Sequence, residues 1–175
     1  MKRLPSKPPA HLDADARALY EKITAGPRGT SMLDDAGGLV GPFNAMLLSP
    51  PVGDALQELG AAIRYRSGLS ARAREIAILV VAGHWDSAFE LRVHEEIGRG
   101  LGLTEDELAA LRTGAALELA DPGEDAVLRV TRALVTRADL DDAEYAQLGE
   151  SVVFELTTLV GYYTTLALQL RVFRV

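Results

Sequence analysis

The chain has 175 residues, a length that suits one domain with a sizeable core, and its 48% hydrophobic and 25% charged residues are those of an ordinary globular protein. A formal net charge of −7 repels phosphate backbones and argues against a nucleic-acid partner, while the lack of cysteine removes disulfides, thiolate metal sites and any thiol nucleophile. The basic, proline-rich start MKRLPSKPPAHLD is followed by no apolar run and does not read as a secretory signal; the apolar stretches read as too short or too interrupted to span a bilayer, so no membrane association and a cytoplasmic location are expected.

Residues 1–11 read as a flexible arm, since Pro5, Pro8 and Pro9 block regular structure, and the folded domain is expected over 12–175. Helical spacing begins near Asp13, runs to about Thr24 and stops at Gly26, Pro27 and Gly29. The glycine-rich stretch 26–42 is a long loop, either a lid over a ligand or a plain connector. PFNAMLLSP reads as a short helix, and Ser49 with Pro50 opens another that runs to about Arg66. Ser70 caps the helix holding ARAREIAILVVAG, and the next covers about Ser87 to Gly100. Thr104 and Glu107 form a capping box for a short helix ending near Gly114. Asp121, Pro122 and Glu124 start a helix that ends near Arg137, Asp139 opens a short one, and the last runs from about Val152 to Arg171. No segment sustains a period of two, so the expected class is all-α, a single-domain helical bundle. The last helix is apolar nearly all round, with Glu155 its one charge before Arg171. It reads either as packed on both sides, within a homo-oligomer, or as the central helix of a monomeric bundle.

Two features depart from simple core logic. Glu75 is followed by eight uncharged residues, Ile76 to Gly83, that cover every face of their helix, the signature of a buried element. Glu75 is therefore either a buried carboxylate or, beside Arg72 and Arg74, an exposed first-turn charge. In SAFELRVHEEIGRGL, Ser87, Glu90 and His94 fall within about a 60° arc on the same stripe as Gly98 and Leu101. Arg92, Glu95, Glu96 and Arg99 fall opposite, so the hydroxyl, the carboxylate and the imidazole face the core. Burying them unpaired is costly, which makes them candidates for a functional site or for a satisfied polar network. Glu90 and His94 at i,i+4, with His84, would supply three metal ligands; HExxH is absent and no metal is expected. The glycines of AGGLVGP lack the lysine of a phosphate loop, and no nucleophile elbow occurs.

RAREIAILVVAGHWDSAFELRVHEEIGRGLGLTEDELAAL resembles the core motif of the carboxymuconolactone decarboxylase family, the group that includes alkylhydroperoxidase D. An Arg-Glu pair opens an apolar helix, a helix with Cys-x-x-Cys-x-x-x-His or a cysteine-free counterpart follows, and a Gly-Leu-Thr turn leads into a short acidic helix. GPFNAMLLSPPVGDALQELG and LTTLVGYYTTLALQL resemble the flanking helices of that family. The resemblance implies an alkylhydroperoxidase D-like helical fold and a trimeric or hexameric assembly. It also implies a site in which Ser87 and Glu90 stand at the two cysteine positions, His94 at the relay histidine and Glu75 at the relay glutamate. Serine and glutamate cannot form a reactive thiolate, which excludes the peroxidase chemistry of the cysteine branch. The cysteine-free branch implies a cofactor-independent decarboxylase, or a related isomerase, acting on a small carbonyl or lactone compound. In that reading His94, Glu90, Glu75 and Ser87 are the catalytic candidates, and no cofactor is needed. The contrasting expectation is a non-catalytic oligomeric binding or stress-associated protein on the same fold.

Overall fold

The computed structural model describes residues 3–27 and 29–175, and among these the regular structure is helical, with one isolated antiparallel bridge between Leu33 and Leu39. The helices are α1 (Ala14–Ala25), α2 (Pro42–Met46), α3 (Pro50–Tyr65), α4 (Ala71–His84), α5 (Ala88–Gly100), α6 (Glu105–Thr113), α7 (Pro122–Arg137), α8 (Asp142–Tyr145) and α9 (Glu150–Phe173). The expected all-α class is the observed one. Asp13, Ser70, Thr104 and Asp121 each accept a first-turn backbone N–H, and Thr104 and Glu107 complete their box. The short helix expected to open at Asp139 opens at Asp141 instead. There Glu144 closes a capping box, while the Asp139 carboxylate accepts the N–H of its neighbour Leu140.

The chain divides into two compact units, residues up to Ala62 with Leu168–Val175, and Ile63–Ala167. In the first unit, the described part of the stretch 26–42 is held against α1. Its 3-10 turn, Gly29–Met32, leads to Asp34, whose carboxylate accepts from Ala36 and Gly38 at 3.0 and 2.9 Å, and the Tyr20 hydroxyl of α1 donates to Gly37 at 2.8 Å. The segment read as an arm carries hydrogen bonds in its described part. Arg3 and Leu4 donate their amides to the Phe173 carbonyl at 3.1 and 3.2 Å, and the Ser6 hydroxyl donates to Asp34.

In the second unit α4 is buried from Glu75 to Ala82 and packs against α5, α6 and α7. Ile76, Leu79 and Val80 of α4 meet Leu91, Leu103, Leu108, Leu111 and Leu128 in one apolar core, each large side chain contributing about 1.5–3 kcal/mol. Gly83 permits a close crossing: a Cβ there would stand 2.7 Å from the Arg112 carbonyl oxygen and 2.8 Å from that of Leu111. At the other end of α4, Arg72 bonds Glu107 of α6 at 2.9 Å and also Glu124 of α7.

α9 extends beyond its expected ends and is two-sided. Val153, Leu156, Leu159, Tyr162, Tyr163 and Leu166 are buried, while Thr157 and Gly161 are exposed and Phe154 is 71% exposed. With an 18-residue window of mean hydropathy 1.2, it is long and apolar enough to cross a membrane by length and composition alone, which the polar interruptions in its sequence did not suggest. Its buried row of aliphatic and tyrosine side chains is that of a core helix.

Candidate functional site

α5 is the element that carries most of the site. Its N-cap is Ser87, and its buried positions are Glu90, Leu91, His94 and Gly98, the stripe expected from helical spacing; Arg92, Glu96 and Arg99 are exposed opposite. Ser87 is buried too, but its hydroxyl does not cap the helix. α4 brings Glu75 to the same place. Of the two readings for Glu75, the buried one is the observed one: the residue is 0% exposed.

His94 stands between two carboxylates. Its Nδ1 is 2.5 Å from Glu75 Oε2 and its Nε2 is 3.2 Å from Glu90 Oε2. An imidazole with an acceptor at each nitrogen satisfies both as the imidazolium, which has two N–H donors. Burial disfavours that charge, but the hydrogen bonds to Glu75 and Glu90 outweigh it, and the pKa of His94 is raised above its ordinary value. Arg64, near the end of α3, donates to the other oxygen of Glu75 at 3.3 Å. Burial opposes its charge, but Glu75 and the neighbouring Tyr163 and Tyr65 together more than offset this, so its pKa is raised. Two carboxylates and two cations make a quartet of zero formal charge, buried except for Arg64, which is partly exposed.

Tyr163 of α9 closes one side, its ring edge-on to His94 with centroids 5.4 Å apart. Burial, then the neighbouring Glu90, push its pKa well above the ordinary tyrosine value, so the hydroxyl stays protonated. Two buried atoms of the α5 stripe have no partner: Ser87 Oγ and Glu90 Oε1. Glu90 therefore holds the imidazole with one oxygen and leaves the other uncommitted. A buried unpaired carboxylate oxygen is expensive, and such exceptions mark a water, a ligand or a catalytic group. Chemically this geometry is that of a chain along which a proton can pass, Glu75–His94–Glu90, ending in a carboxylate oxygen that can take or give one.

The structure thus brings together three of the four expected residues, with Ser87 on the same stripe but outside the bonded network. His84 is exposed at the end of α4 and does not join them. Among the described residues no group of three or more His, Asp or Glu side chains is arranged to hold a metal ion. Arg64 enters the site from α3, which the spacing on α4 and α5 does not signal. Tyr163 was read with the apolar residues of α9, and only a tyrosine within a buried run could have signalled it.

The model of the carboxymuconolactone decarboxylase family matches residues 50–133, which include Arg64, Glu75, Ser87, Glu90 and His94. No curated protein matches by sequence. The solved structures similar in fold include the following two. One is a protein of unknown function from Agrobacterium tumefaciens with a suggested AhpD antioxidant-defence role. It is 20% identical, with a TM-score of 0.65, over 75% of this chain and 93% of that one. The other is an uncharacterized peroxidase-related protein from Ralstonia eutropha JMP134 with an alkylhydroperoxidase AhpD core. It is 13% identical, with a TM-score of 0.74, over 98% of this chain and 89% of that one.

Proposed function

We propose that this chain, whose residues 50–133 match the model of the carboxymuconolactone decarboxylase family, is a cofactor-independent acid–base enzyme of decarboxylase or isomerase type. Its substrate class is a small carbonyl or lactone compound. The observation that carries this reading is the buried imidazole held between Glu75 and Glu90, with Glu90 Oε1 left unpaired.

In a decarboxylation the electrons of the breaking carbon–carbon bond enter the substrate's own conjugated carbonyl, carbon dioxide leaves, and the resulting enolate is protonated at carbon. In an isomerisation the same enolate forms by loss of a proton to a carboxylate, and the proton is returned at another carbon. Glu90 is the group that exchanges the proton with substrate. His94 replaces or withdraws it from behind, and Glu75 with Arg64 fixes the ring. The Ser87 hydroxyl, unpaired on the same stripe, supplies a donor for the substrate oxygen. A thiol route has no nucleophile here, since the chain has no cysteine.

The test is proton exchange. A panel of unsaturated lactones and β-keto acids is incubated with the protein in D2O and followed by NMR. The expected result is deuterium uptake or substrate loss that Glu90→Gln slows by roughly a hundredfold or more. No turnover across the panel, or equal rates for Glu90→Gln, would overturn the reading. A second reading, a binding or stress-associated protein without chemistry, is favoured by one observation: Arg64, Glu75 and His94 spend their bonds largely on one another. Under it, Glu90→Gln changes stability alone.

A further inference from the structure

A cavity of about 550 Å³, open to solvent, lies in the second unit between the ends of α4 and α6, the second half of α7, and α8. Its size is that of a small-molecule site. The chain carries 18 Lys and Arg residues against 25 Asp and Glu, yet four arginines line this one cavity, Arg112, Arg129, Arg132 and Arg137, with Glu144 the single acidic residue in the wall. The carboxylates that pair Arg112 and Arg129 stand outside the lining: Glu95 at 2.6 Å and Asp125 at 3.1 Å. Arg137 pairs with Glu144. The wall is therefore cationic inside an acidic protein.

Helix ends explain part of this clustering. Arg112, Arg137 and His84 stand in the last turns of α6, α7 and α4, where a basic side chain offsets the carbonyl dipoles. Arg129 and Arg132 have no such reason, since both lie inside α7. Arg132 donates one bond, to the Ala115 carbonyl at 2.7 Å, which leaves most of a five-donor fork uncommitted. Beside it the wall turns apolar with Val80, Leu111, Ala133 and Val135. A guanidinium fork over an apolar wall suits a ligand with an oxyanion at one end and a hydrocarbon body at the other.

We propose that this cavity binds a small organic oxyanion, a carboxylate or phosphate on an apolar body, with Arg132 as its main anchor. The site is separate from the Glu75–His94–Glu90 relay. None of the relay residues lines it, and on α4 its first residue, Val80, lies about 7.5 Å along the helix axis from Glu75.

The one tryptophan of the chain, Trp85, adjoins His84 of the cavity wall, with ring centroids 5.3 Å apart, and gives an optical probe. The experiment titrates the full chain with phenyl phosphate, benzoate and the uncharged benzyl alcohol, by Trp85 fluorescence and calorimetry. Saturable binding of phenyl phosphate or benzoate, one per chain, is expected, with benzyl alcohol silent and affinity falling as salt rises. Phenyl phosphate binding the more tightly identifies a phosphate site, and the reverse a carboxylate site. Arg132→Ala should weaken binding roughly tenfold or more, with Arg132→Lys and Arg129→Gln intermediate. The lysine and glutamine variants carry the test if the alanine variant does not fold. Glu90→Gln should bind as the parent does, which separates this site from the fate of the proposed reaction. No saturable binding at millimolar ligand, binding indifferent to all three arginine variants, or binding abolished by Glu90→Gln would overturn the proposal.

Discussion

Replacing His94 with alanine removes the cation that stands between two buried carboxylates. Glu75 is 0% and Glu90 3% exposed, so neither can turn to water, and Arg64 at 3.3 Å serves only one of them. Removing one partner of a buried charge pair costs about 3–5 kcal/mol, because the remaining charge is left desolvated. For a chain of this size each kcal/mol moves the melting temperature by about 2–4 °C, so the expected fall is about 6–20 °C. Urea unfolding should report the same loss with an unchanged slope. The pH dependence gives an independent signature. The folded pKa of His94 is raised above its ordinary value of 6.5. The stabilisation is therefore complete below that ordinary value and disappears as pH rises through the folded one. The parent should lose stability on that alkaline side, and His94→Ala should lack that component. A loss under about 1 kcal/mol, or the same pH dependence in both proteins, would refute a charged imidazole clamped between the two carboxylates.

Three further outcomes are expected. Gly83→Ala should destabilise by about 1–3 kcal/mol despite the better helix propensity of alanine, because its Cβ would meet two backbone oxygens of α6; unchanged urea unfolding would mean that α4 and α6 are not in close contact there. The protein should not reduce hydroperoxides with a dithiol donor, and turnover that scales with protein concentration would contradict this. Sedimentation at micromolar concentration should give a mass above the 18.8 kDa of one chain, since α9 exposes Phe154, Thr157 and Gly161 without a charge among them. A monomeric mass would refute the reading of that exposed face as a contact between chains.

The α5 stripe was legible because helical spacing is a local rule: Glu90 and His94 share a face whatever packs on it. Burial of Glu75 was half legible, since the uncharged run after it fixed the environment of α4 but left the arginines around it as competing explanations. Which helices would face that stripe was not legible. Arg64 comes from α3, the helix before α4, and Tyr163 from α9, far along the chain, and no periodicity encodes either meeting. The stretch 26–42 read as a long loop, lid or connector, and its internal order was hidden for a related reason. Its order comes from Asp34 binding backbone amides within the loop and from Tyr20 reaching in from α1, bonds that composition does not announce. Asp139 and Asp141 illustrate the limit at element ends. Both are good caps, and the glutamate that closes the box three residues on, Glu144, selects the second.

The double engagement of the His94 ring also sets a clock. Its two nitrogens are held at 2.5 and 3.2 Å by residues of different helices, so the ring cannot rotate without breaking both bonds at once. The side chain is only 6% exposed. Exchange of its N–H protons with solvent therefore runs through Glu90 or waits for α4 and α5 to part. In heavy water the imidazole resonances would outlast those of surface groups, and their lifetime would report the faster of these two routes.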